Sequence, residues 1–125
     1  MNNKTIKTIA VSTIILLLLD FTFIYFIMAS YGKMVATVQG SPLRFNLYGG
    51  IACYILIVSS LYYFILRTHR PVKDAFLLGF FIYGILETTN YALLKNWNPT
   101  IAFVDALWGG ILYAVATYFT YKIMK

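Results

Sequence analysis

The chain has 125 residues, of which 61% are hydrophobic and only 11% charged. Soluble domains carry about 25% charged residues, so too little polar surface is present here to cover a compact soluble core, and a membrane protein is the expected class. The net charge of +6 does not point to nucleic acid, because the ten Lys and Arg residues are spread over loops and termini and form no run. One Cys and one His exclude a disulfide framework and a zinc site, and no cofactor is expected.

The first apolar stretch covers residues 6–28. It is longer than the apolar region of a signal peptide, Asp20 interrupts it, and Ile27-Met28-Ala29-Ser30 is a poor cleavage site, so it is expected to stay as a helix. A long loop is expected from Ala29 to Phe45, with the turn formers Gly32, Gly40, Ser41 and Pro42. The second stretch, 47–66, carries a small and polar stripe (Asn46, Gly50, Cys53, Ile57, Ser60) expected to face inward, with Cys53 as a small packing residue. In the loop 67–74, His69 is expected to be solvated or to face lipid headgroups, and Asp74 to cap the next helix.

The third stretch is 75–94, where Glu87 and Asn90 share a face and Gly84 lies one turn earlier. In the short loop 95–99, Trp97 suits the interfacial aromatic belt. In the fourth stretch, 101–121, Asp105, Trp108, Gly109 and Leu112 share one face, and Ala106, Gly110 and Ala114 form a row that favours close helix packing. Each stretch has about 20 residues, the length a helix needs to cross a bilayer. Runs this apolar are helices, since barrel strands are shorter and alternate. The fold class is therefore all-α, a four-helix transmembrane bundle forming one polytopic domain over residues 1–125 in the lipid bilayer. Seven basic residues fall on the side of the termini and three on the other, which puts both termini in the cytoplasm.

Three acids interrupt the spans: Asp20, Glu87 and Asp105. No basic residue stands near them within the spans. A charged group near a helix centre costs roughly 2.5–3.5 kcal/mol on insertion scales, and such residues mark working sites. At 1.5 Å of rise per residue, they lie roughly 12, 10 and 7 Å below the outer ends of their helices. That is one layer, and if all three face inward they can meet. Buried acids without basic partners can be protonated, share protons, bind a cation, or accept a long outer-loop side chain such as Lys95, Arg44 or Lys33.

Leu19-Asp20-Phe21-Thr22-Phe23, Thr89-Asn90 and Asp105-Ala106-Leu107-Trp108-Gly109 together resemble a family of small bacterial membrane proteins of unknown function. That family has four spans, an LDxxW-like motif in the first helix, a T-N pair late in the third and a DxxWG motif in the fourth. The likeness covers nearly the whole chain. It departs at Phe23, where the family usually has Trp, so an aromatic is kept and an indole donor is lost. The resemblance implies a fold and a site and supplies no reaction.

The functional expectation is handling of ions, protons or a small cation by Asp20, Glu87 and Asp105, with Asn90 and Trp108 in support. Aromatic faces such as Trp108, Phe23 and Tyr91 would favour a cationic small molecule. A four-helix bundle has a filled core, so a transport path would call for a homo-oligomer. No TVGYG filter is present. The alternative is an accessory membrane protein that binds another membrane protein or lipid, with the acids as hydrogen-bond glue between helices. An enzyme is not expected, because no metal-ligand cluster, Ser/His or Cys/His set, or phosphate-cradling loop stands in the sequence.

Overall fold

A computed structural model describes all 125 residues. Four helices follow one another: α1 (Asn3–Gln39), α2 (Leu47–Leu61), α3 (Val72–Leu93) and α4 (Pro99–Ile123), with no strands. All four are long and apolar enough to cross a membrane, α2 together with its helical continuation to Leu66. Only 21 of the 125 residues are buried, and large apolar side chains such as Phe26, Leu56, Ile85 and Phe103 stand exposed around the outside. That inversion of a soluble surface suits contact with lipid.

Local chemistry sets the helix ends. The Asn2 side chain accepts from the Thr5 N–H at 2.8 Å and caps α1. Gly40, at φ 76°, closes it in the left-handed conformation that glycine adopts without strain. The loop expected from Ala29 to Phe45 therefore shrinks to residues 40–46. Gly32 stays within the helix, because one Gly costs only about 1 kcal/mol there. The extension is held by apolar contacts of Tyr31, Met34, Val35 and Val38 with the α3–α4 connection. In addition, the Asn98 N–H donates to Met34 Sδ at 3.2 Å.

The last turn of α2 widens into a π-helical segment, Tyr62–Leu66, in which the Arg67 N–H donates to the Tyr62 carbonyl five residues back. Asp74 lies inside the first turn of α3 and not at its cap, a position held by Pro71. There it pairs with Arg70 at 2.7 Å, the chain's one ion pair. Asn98 caps α4 by accepting from the Thr100 and Ile101 N–H groups, with Pro99 opening the helix.

The best-buried helix is α4, and it packs most closely on α3. The approach is made at Gly79 and Gly109. A Cβ on Gly79 would run into the Gly109 backbone carbonyl, and one on Gly109 into the Tyr83 ring. Of the expected row of Ala106, Gly110 and Ala114, Gly110 adds to this contact, against the Phe76 ring. Gly84, by contrast, leaves ordinary clearance to Ala106. The loosest element is α2, and its inward face is turned from the expected stripe. Ile57 and Ser60 do face in, but Cys53 is exposed and Tyr54 points to the interior in its place. The main core gathers Leu16, Ile57, Leu61, Leu112 and Tyr113. A smaller cluster of Met34, Trp97 and Ala102 closes the end opposite the termini.

Candidate functional site

Ser12, Leu16 and Asp20 are buried at four-residue spacing along α1, so Asp20 belongs to the stripe that faces the bundle. Gly79 and Glu87 are buried on α3, two turns apart, with Tyr83 half-buried between them. Asp105 stands at the edge of the buried face of α4 and is half-buried. All three acids thus turn inward, to different depths.

Each of the two buried acids is clamped by one tyrosine and one tryptophan. Asp20 accepts from the Tyr54 hydroxyl at Oδ2, at 2.5 Å, and from the Trp108 indole N–H at Oδ1, at 2.9 Å. Glu87 accepts from the Tyr31 hydroxyl at Oε2, at 2.8 Å, and from the Trp97 indole N–H at Oε1, at 3.0 Å. Both tryptophans of the chain are used in this way. The donors are neutral: they orient the carboxyls and supply hydrogen bonds, but they bring no compensating charge.

The third acid lies outside this pattern. The Asp105 carboxyl sits beside that of Glu87 and within electrostatic reach of Asp20. No Tyr or Trp donates to it, all four of those donors being spent on the other two acids. Tyr83 lies within electrostatic reach of both Asp20 and Asp105. No cation compensates the layer, since Lys33, Arg44 and Lys95 are exposed and pair with none of the acids. No three of the chain's His, Cys, Asp and Glu side chains form a group with the geometry of a metal site.

The other expected site residues divide. Trp108 joins the Asp20 clamp, and Phe23 stacks flat on its ring, with centroids 4.6 Å apart and planes 5° apart. The aromatic at position 23 is thus in use as a stacking face. The Asn90 side chain makes no hydrogen bond to Glu87, and the residue's backbone carbonyl accepts from the Leu94 N–H at the end of α3. Thr89 is exposed. Trp97, expected in an interfacial belt, is instead 7% exposed and reaches back ten residues to Glu87.

Sequence reasoning missed Tyr31, Tyr54 and Trp97. For Tyr54 the signal was present: Tyr54, Ile57, Leu61 and Ile65 recur at helical spacing. Tyr31 with Met34, Val35 and Val38 repeats the same pattern inside the supposed loop. Trp97 carried no such signal, because its partner depends on how the α3–α4 connection folds back.

On the flank between α3 and α4, a cavity of about 410 Å³ is lined by Phe81, Gly84, Glu87, Tyr91, Phe103 and Ala106 among others. It brings the Glu87 side of the layer to the apolar exterior.

No curated protein and no solved structure matches the chain. One family does, described as predicted membrane protein (DUF2177), and its match runs over residues 5–122. With nearly its whole length covered and four helices able to span a bilayer, the chain belongs to this family of multi-pass membrane proteins of unknown function.

Proposed function

We propose that the protein takes up and releases protons within the membrane, with Asp105 as the exchanging group and Glu87 as its fixed partner. The observation that carries this reading is the position of Asp105, beside a clamped carboxyl, with no Tyr or Trp donor and no cation paired to it. Two adjacent carboxyls in a medium of low dielectric repel each other when both are charged, which suits such a pair to holding and releasing a proton. The clamps on Asp20 and Glu87 spend both oxygens of each acid on neutral donors, which leaves Asp105 as the member free to change partners. Tyr83, near both Asp20 and Asp105, offers a hydroxyl through which the two halves of the layer can communicate.

Proton flux into proteoliposomes under an imposed pH gradient tests this reading. Wild-type protein should carry flux, and Asp105→Asn should lose it while keeping the wild-type melting temperature. A folded wild-type protein that carries no flux under any gradient would remove the proposal.

A second reading is favoured by the clamps themselves. Asp20 on α1 binds donors from α2 and α4, and Glu87 on α3 binds one from α1. In an accessory protein these bonds would serve only to hold the helices in register, at about 1–2 kcal/mol each or less. Under that reading Asp105→Asn changes neither stability nor any transport property.

A further inference from the structure

At the termini end of the bundle, far along the chain's helices from the acid layer, lies a second cavity of about 670 Å³. The start of α1, the α2–α3 turn and the end of α4 border it. Its lining includes Lys4, Arg67, His69, Lys122 and Lys125, and no Asp or Glu. The chain's one ion pair, Arg70 with Asp74, stands outside this lining, so the four Lys and Arg cations have no carboxylate partner.

The wall is built as well as charged. Thr120, fully buried, lines the cavity, and its hydroxyl, like that of Thr117 three residues earlier and outside the lining, has no hydrogen-bond partner. Buried hydroxyls are almost always satisfied, and an orphan calls for an explanation. The first turns of α1 bring Thr5 and Thr8 to the same space, beside the positive end of the helix dipole. His69 is held over it in a left-handed backbone conformation (φ 53°), its ring stacked 4.0 Å from that of Tyr121. Basic residues at a membrane face usually spread into the headgroup layer. Here Lys4, His69, Lys122 and Lys125 line one concavity, Arg67 stands at its rim over the Tyr63 ring, and the Thr5 hydroxyl, which accepts from Tyr62, stands in the wall.

We infer that this cavity binds a phosphate-bearing anion at the membrane surface, either the headgroup of an acidic phospholipid or a soluble phosphate compound. Basic pockets between membrane helices recognise phosphate headgroups by this chemistry. The volume holds a group larger than inorganic phosphate alone. The site is independent of the proton reading, since it shares no residue with the acid layer.

The test is thermal stability of the purified full chain in neutral detergent, titrated separately with short-chain phosphatidylglycerol, short-chain phosphatidylcholine and glycerol 3-phosphate. Phosphatidylglycerol should raise the melting temperature in a saturable way, and phosphatidylcholine should not. Stabilisation by glycerol 3-phosphate as well would identify the phosphate compound itself as the ligand, and its failure would identify the lipid headgroup. Lys122→Gln should weaken the apparent affinity about fivefold, the worth of one cation near an anionic surface. Thr5→Val, which removes a hydroxyl from the lining, should weaken it about threefold, one hydrogen bond's worth. Lys73→Gln, at the same end but outside the lining, should leave it unchanged. Equal losses for Lys73→Gln and Lys122→Gln would reduce the effect to surface charge and overturn the inference. So would equal stabilisation by both lipids, or no stabilisation by any of the three.

Discussion

Asp20 and Glu87 receive the same pair of donors, one phenol and one indole, yet the two clamps are built differently. The Asp20 clamp is assembled from three helices, with donors 34 and 88 residues away in sequence. The Glu87 clamp takes its indole from only ten residues away, in the connection that follows its own helix, and its phenol from the extension of α1. The indoles are also braced differently. Trp108 is stacked flat under Phe23, whereas Trp97 meets the edge of Tyr31 at 90°. Above all, Glu87 has a second acid beside it. The same chemistry thus fixes bundle architecture at one site and, on our reading, prepares a proton-sharing pair at the other.

The sharpest way to break this comparison is to neutralise the acids without changing their shape. Asp105→Asn and Glu87→Gln should each lower proton flux at least tenfold, a change of about 1.4 kcal/mol or more in the limiting barrier. Asp20→Asn should reduce it far less, because Asp20 is placed as a tie. Equal loss of flux at all three positions would show the layer to be one functional unit and end the distinction.

Removing the acceptors altogether reads the structural half. Asp20→Ala leaves the Tyr54 hydroxyl and the Trp108 N–H without partners, and each orphaned donor costs about 1–3 kcal/mol. It should therefore lower the melting temperature more than Asp105→Ala, which orphans no Tyr or Trp donor. A greater loss of stability from Asp105→Ala would mean that the third acid, and not the clamp, holds the helices together.

The indoles give a smaller and more discriminating effect. Trp108→Phe and Trp97→Phe each remove one donor from a carboxyl, at about 1.5–3 kcal/mol if that carboxyl is charged and closer to 1 if it is neutral. Measured side by side in denaturant or heat, the larger loss identifies the clamp whose acid carries charge. A larger loss at Trp108 is expected, because Glu87 shares a proton with Asp105 on the proposed mechanism.

How much of this could be read from the chain follows from what each feature depends on. The four helices are legible because membrane spans rest on run length and hydropathy, which are local properties. The acids stand out for the same reason, as charges in apolar runs. The overrun of α1 to Gln39 is harder, because Gly32, Gly40, Ser41 and Pro42 all read as breakers and only Gly40 breaks the helix. What kept Gly32 helical is contact with Trp97 and its neighbours, a tertiary effect. The clamps were invisible in their pairing: two tryptophans and two tyrosines among many aromatics have no sequence mark that assigns them to particular carboxyls. Asn90 shows the reverse error, since shared helical spacing with Glu87 put both on one face without bringing the side chains into contact.

Phe23 tests the finest difference between the clamps. Its ring lies parallel to Trp108, so it holds the indole plane that aims the N–H at Asp20. Phe23→Leu keeps most of the apolar surface and removes the stack, which is worth about 0.5–1.5 kcal/mol beyond area. The melting temperature should fall slightly, and proton flux should stay at the wild-type level, since Asp20 is a tie and not the exchanging group. Phe23→Trp, which keeps an aromatic ring at this position, should keep the stack and leave stability within about 0.5 kcal/mol of wild type. A fall in flux with Phe23→Leu at unchanged stability would carry the proton path through Asp20 and make the two clamps parts of one relay, with Tyr83 between them.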